Sequence, residues 1–208
     1  MNFLGHAAAA RWTTDDPRFV LGAMLPDFAH MGGVRRIAPR DAIASAGVAF
    51  HHKTDEAFHG CPSFVRLTHD GTEALRTTGV GRGPALALGH LAIELLLDAV
   101  LAEDDALVVD YQRALAVQLE LGDAEHERII TGVCTRLTEA GAPRWYAELD
   151  ELAPRLERIL ARHPRLALAP SDRAPLRSWL GDARTAVERA ASTMMAELNV
   201  RLAAPTQR

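Results

Sequence analysis

The run PALALGHLAIELLLDAVLA, Pro84 to Ala102, decides the fold of this chain. Set aside His90, Glu94 and Asp98, and what remains from Leu86 to Leu101 is Ala, Leu, Ile, Val and Gly. A helix that is apolar around its whole circumference belongs at the centre of a core or in a bilayer. Nineteen residues are enough to span a membrane. A carboxylate near the bilayer centre, however, costs about 2.5 to 3.5 kcal/mol, and two of them with a histidine argue against lipid exposure. The expectation is a buried helix of a soluble protein with no membrane span. Its carboxylates must then be protonated, paired with a base or bound to metal. Metal coordination and a structural His–Glu or Arg–Glu network both satisfy that requirement. Gly89, just before His90, lets a neighbouring backbone or a ligand come close.

Outward from this helix the periodicity is helical nearly everywhere, and no run alternates strictly as a half-buried strand does. The expected class is all-α, a single-domain helical bundle over residues 1–208. Helices are predicted at about residues 2–11, 17–30, 39–59, 62–78, 83–102, 105–121, 123–140, 143–163 and 172–203. Short breaks separate them, such as Asp15-Asp16-Pro17, Gly60-Cys61-Pro62 and Gly122-Asp123. His69-Asp70 before Gly71 reads as turn chemistry within the fourth. Pro26-Asp27 reads as a point where a helix is interrupted or begins, with Asp27 a cap or turn residue.

Composition removes several function classes. Of 208 residues, 48% are hydrophobic and 24% charged, which excludes disorder and fibrous repeats. The net charge of −4 gives no basic field, so no nucleic-acid partner is expected. Two cysteines, Cys61 and Cys134, without Cys-x-x-Cys spacing make neither a zinc knuckle nor a disulfide scaffold. The opening MNFLGHAAAARW lacks a basic segment and carries His6 in its apolar run, unlike a secretory signal. A cytoplasmic protein is expected.

Seven of the nine histidines lie within the first 90 residues, so a site is expected in 1–102, with packing helices in 103–208. His51, Asp55 and His59 are spaced i, i+4, i+8, as are His90, Glu94 and Asp98. Successive members stand about 40° apart around the axis and about 6 Å along it, so each trio shares one face. Residues i and i+8 are about 12 Å apart, too far for one ion. The pairs His51 with Asp55 and His90 with Glu94 suit a first divalent ion, and His59 and Asp98 suit a second ion or a supporting role. Taken alone, HHKTDEAFH reads equally as a solvated face. Gly79-Val80-Gly81-Arg82-Gly83 precedes the His90 helix and can present amides and the Arg82 guanidinium to a phosphate, or can be a plain solvated turn. No Gly-x-Ser-x-Gly, Walker or GxGxxG motif is present.

Met1-Asn2-Phe3-Leu4-Gly5-His6, Gly22 through Leu25-Pro26-Asp27-Phe28, and Gly47-Val48 followed by His51-x-x-x-Asp55 and Pro62 resemble the acyl carrier protein phosphodiesterase family. That family is similar to the HD-type metal-dependent phosphohydrolases, all-α proteins with His and Asp metal ligands. The resemblance implies an HD-like fold, a metal held by Asp27, His51 and Asp55 with His6 beside it, and hydrolysis of a phosphodiester. The chain departs from the family at His52-Lys53, at His59, and at Glu94-Leu95 where the family tends to have an Asp-His pair. Leu25-Pro26-Asp27 with GHLAIELLLD is also similar to zinc-dependent phospholipase C-like proteins. Mn²⁺, Fe²⁺ or Zn²⁺ suits imidazole and carboxylate ligands equally. Asp55 and Arg82 are the expected catalytic groups, with a phosphoester, and among partners an acyl carrier protein, as substrate. Arg35, Arg36 and Arg40 are the one basic patch that suits an acidic carrier protein. The alternative class is a non-catalytic HD-like protein that keeps a metal or ligand.

Overall fold

The computed structural model describes residues 1–204. Among them are nine α-helices and no strand: α1 Phe3–Ala10, α2 Pro17–Gly32, α3 Ala42–His59, α4 Pro62–Thr77, α5 Arg82–Leu101, α6 Asp105–Leu115, α7 Ala124–Ala140, α8 Leu149–Leu160 and α9 Arg173–Ala203. The starts follow from local chemistry. Asp16, Asp104 and Asp123 accept hydrogen bonds from first-turn amides of α2, α6 and α7, and Pro17 and Pro62 open α2 and α4. Gly33, with φ +73°, closes α2 in the left-handed conformation that glycine adopts without strain.

Four sequence expectations are corrected. Helix α2 runs through Pro26, because burial of Leu25, Phe28 and Ala29 on either side outweighs the single hydrogen bond that proline forfeits. Helix α4 runs through His69-Asp70-Gly71, because Gly71 is where Trp179 lies against the helix; a Cβ there would meet Trp179 Cζ2 at 2.6 Å. Helix α6 stops at Leu115 rather than 121. The Leu121 and Gly122 amides donate instead to the Glu127 carboxylate at 2.8 and 3.2 Å, and the Arg40 amide donates to the Glu120 carbonyl. The segment predicted as one helix over 143–163 divides into a 3-10 turn at Pro143–Ala147 and α8. Arg155 lies over the rings of Trp145 and Tyr146 at 5.0 and 5.3 Å and holds that turn.

The described residues form two compact units, and each draws on both halves of the sequence: Met1–Ala57 with Leu101–Pro143 and residues 202–204, and Phe58–Val100 with Arg144–Arg201. In the first, α1 packs on α2 and α6, and Phe3 meets the rings of Phe28 and Tyr111 at 5.9 Å each. Helices α2 and α3 cross backbone to backbone at Gly22 and Gly47; a Cβ on Gly47 would fall 2.3 Å from the Phe19 carbonyl oxygen. In the second, α4 crosses α5 at Gly89, where a Cβ would meet Thr72 Oγ1 at 2.7 Å and the Thr68 carbonyl oxygen at 2.9 Å. Ser63 ties α4 to α9 through Glu197 at 2.8 Å. Helix α5 is long and apolar enough to cross a membrane by length and composition, and 61% of that stretch is buried within the protein.

Candidate metal centre

The sequence face His51, Asp55, His59 is divided between the two units: α3 belongs to the first through Ala57, and His59 belongs to the second. Each unit assembles its own group of two histidines and a carboxylate able to hold a metal ion.

In the first unit the group is His6 of α1, Asp27 of α2 and His51 of α3, with ligand atoms within 4.8 Å of one another. The close α2–α3 crossing positions two of them, since Asp27 and His51 stand about one turn beyond Gly22 and Gly47. Hydrogen bonding fixes both imidazole tautomers. His51 Nδ1–H donates to the Ala23 carbonyl at 2.8 Å, leaving Nε2 as the nitrogen with a lone pair. The Thr54 hydroxyl spends its hydrogen on the Phe50 and His51 carbonyls, so at 2.8 Å it must accept from His6 Nδ1–H, and His6 Nε2 is again the ligand nitrogen. The two rings stack with centroids 3.9 Å apart. Burial holds the His51 pKa below its ordinary 6.5, against the opposing pull of the Ala23 hydrogen bond and the Asp55 charge. A neutral ring is the form a metal binds. Asp55, one turn further along α3, accepts from the Met1 amine at 2.8 Å and lies 3.9 Å from His6 Nε2.

In the second unit the group is His59, His90 and Glu94. His59 Nε2 and His90 Nε2 are 3.2 Å apart, and they lie 3.1 and 3.0 Å from Glu94 Oε1. This triangle fits a divalent ion. Donors about 2.1 Å from an ion are separated by about 3.4 Å in tetrahedral and about 3.0 Å in octahedral coordination. Burial would raise the Glu94 pKa, but hydrogen bonds from His59 and His90 prevail and hold it well below the usual carboxylate range. Phe64 presents its ring edge-on to His90 at 5.2 Å and fixes that side of the group.

The two groups differ in access. His6 is 0% exposed and His51 7%, whereas the His59 and His90 side chains are 34% and 42% exposed. His59 and His90 line a cavity of about 440 Å³ together with Phe64, Leu86, Arg76 and Arg82. Arg76 is held by Glu73 at 2.9 Å, while Arg82 has no carboxylate partner among the described residues. Arg82, the first residue of α5, thus stands at the same cavity as His90.

Asp98 is fully buried on α5, one turn beyond Glu94 and outside both groups. The arginine patch is divided: Arg40 turns to Glu120 at 3.9 Å, and Arg35 and Arg36 line a separate cavity. Burial pushes the Cys61 and Cys134 thiols up to about 11, so neither is a thiolate at neutral pH. Sequence reasoning missed Thr54, Ala23, Phe64 and Arg76. Thr54 alone had a signal, as a polar residue three positions after His51 on the same helix. No protein-family model, curated protein or solved structure matches this chain.

Proposed function

We propose that the protein is a metal-dependent phosphohydrolase that cleaves a phosphodiester, the reaction class implied by its resemblance to the acyl carrier protein phosphodiesterases and HD-type enzymes. The observation that supports this reading is the His59–His90–Glu94 triangle at the wall of a cavity that also holds Arg82. His59, His90 and Glu94 would hold one ion, and His6, Asp27 and His51 with Asp55 alongside would hold another; Mn²⁺, Fe²⁺ and Zn²⁺ all suit these donors. Bound there, a divalent ion supplies Lewis acidity toward a phosphoryl oxygen and acidifies water. The chain's own groups do the rest. Arg82 pairs with the non-bridging oxygens of the phosphodiester as negative charge grows on them. Before an ion binds, Glu94 accepts from both imidazoles and so keeps the two rings aimed at one point. Phe64 and Leu86 form the apolar side of the cavity.

Burial of both histidines of the first group favours a second reading for it, a structural ion. The test is hydrolysis of an aryl phosphodiester and of phosphopantetheine-loaded carrier protein by chelator-treated protein reloaded with Mn²⁺, Fe²⁺ or Zn²⁺. Metal-dependent turnover is expected, lost in His90→Ala and reduced about 100-fold in Arg82→Ala with metal content unchanged. Loss in Asp55→Ala as well assigns the first group to catalysis. Tight metal binding without turnover of either substrate contradicts the phosphohydrolase reading in favour of a non-catalytic metal protein.

A further inference from the structure

The largest cavity described, about 900 Å³, lies in the first unit at the end of α2, and neither metal group lines it. Its origin is local. Gly33 at φ +73° turns the chain out of α2, Val34 drops into the core, and Arg35 and Arg36 are left exposed at the cavity wall. His30 at the end of α2 and exposed His52 on α3 complete a set of four cationic or protonatable side chains. No Asp or Glu is among the eleven residues lining it.

That arrangement departs from the rest of the unit. Arg11 pairs with Asp110 at 2.8 Å, Arg18 with Asp16 at 2.7 Å, and Arg40 reaches Glu120 at 3.9 Å. Among the described residues Arg35 and Arg36 have no such carboxylate, in a chain whose acids outnumber its bases by 27 to 23. Two arginines adjacent in sequence, both lining one cavity and without a carboxylate partner, suit a planar or tetrahedral oxyanion. Below them the wall is apolar, with Val34, Ile37 and Val48. A free phosphate would leave that surface wet, and a neutral hydrocarbon would leave the guanidiniums unused. The volume lies within the roughly 300 to 1,000 Å³ of small-molecule sites, and the concavity argues against a flat protein interface.

We infer that this cavity binds a small anionic amphiphile, a phosphate monoester on an aliphatic chain, with the phosphate on Arg35 and Arg36 and the chain along Val34, Ile37 and Val48. The site stands apart from the hydrolytic reading, and its failure does not touch that reading. It is tested with full-length protein as purified and octyl phosphate as the probe, by calorimetry and by amide chemical-shift mapping. Octyl phosphate is expected to bind at least ten-fold more tightly than inorganic phosphate, octanol or octanoate. Perturbed amides should fall in residues 29–38 and 48–52. Arg35→Ala and Arg36→Ala each weaken binding about 10-fold, as loss of a charge-assisted hydrogen bond does. Ile37→Glu, which places a carboxylate against the chain, abolishes it, and His90→Ala leaves it unchanged. Equal binding of octyl phosphate and inorganic phosphate, tighter binding of octanoate, displacement by an oligoglutamate peptide at equal concentration, or shifts confined to the Arg82 cavity would each overturn the assignment.

Discussion

The two donor groups use the same side chains, two histidines and one carboxylate, and put them to different physical use. In the first, each ring is locked by a hydrogen bond on the far nitrogen, from His51 to the Ala23 carbonyl and from His6 to Thr54, and both rings are buried. In the second, the Nε2–H groups of His59 and His90 both donate to Glu94 Oε1, and the rings face a cavity. The first group's rings are locked and buried while its Asp27 is half-buried; the second group's rings open on a cavity, and its ligand atoms meet one another. Two histidines and a carboxylate therefore meet solvent differently in the two groups, because the backbone around each group decides access.

The strongest way to break this comparison is at the carboxylates. Glu94→Ala is expected to lower metal-dependent turnover by about 100-fold or more, while Glu94→Gln, which keeps the shape but donates where it should accept, does the same without unfolding the protein. Turnover that survives either change places the reaction elsewhere.

The crossings that carry the groups differ too. A Cβ on Gly47 meets a backbone oxygen at 2.3 Å, whereas one on Gly89 meets a hydroxyl at 2.7 Å and a carbonyl at 2.9 Å. Gly47→Ala should cost more than about 3 kcal/mol, at the upper end of overpacking, and Gly89→Ala about 1 to 3 kcal/mol, because its nearest clash is a side-chain hydroxyl and its backbone contacts are longer than the one at Gly47. Denaturant midpoints check the order, and equal losses would contradict the difference in packing.

These crossings mark what the sequence could and could not show. Helix class was legible because His90, Glu94 and Asp98 interrupt an otherwise apolar circumference, and helix starts were legible at Asp16-Pro17 and Cys61-Pro62. The ends of α6 and the break before α8 were not, since Glu127 and Arg155 reach them from elsewhere in the chain. The i, i+4 spacing of His90 and Glu94 was readable on one helix. That His59 joins that pair, while His51 joins His6 and Asp27, depends on which helices meet, and spacing along a single helix carries no such information.

A smaller effect separates the groups through Thr54. Thr54→Val removes the acceptor for His6 Nδ1–H and is expected to weaken metal binding at the first group about 10- to 100-fold, leaving the second unaffected. Calorimetric titration with two resolved sites reads this directly, and a change at the second site would merge the two.

The smallest expected effect is in pH. The folded His51 pKa lies below its ordinary 6.5, so below pH 6.5 the unfolded chain takes up a proton that the buried ring refuses, and stability falls with pH. Glu94 acts lower: its depressed pKa stabilises the fold above about pH 4.5, and that contribution is lost as pH falls through the folded value. In chelator-treated protein, His51→Asn keeps a donor toward the Ala23 carbonyl and should make the loss of stability between about pH 7.5 and 5.5 shallower. An unchanged slope would mean the ring is not held neutral.

The most direct measurement is anomalous diffraction at the zinc edge from crystals of the chelator-treated protein soaked in Zn²⁺. A peak is expected at about 2.0 to 2.2 Å from His59 Nε2, His90 Nε2 and Glu94 Oε1 together. Zinc bound elsewhere on the chain, with both Nε2 atoms still hydrogen-bonded to Glu94 Oε1 at 3.0 to 3.1 Å, would contradict a metal centre there.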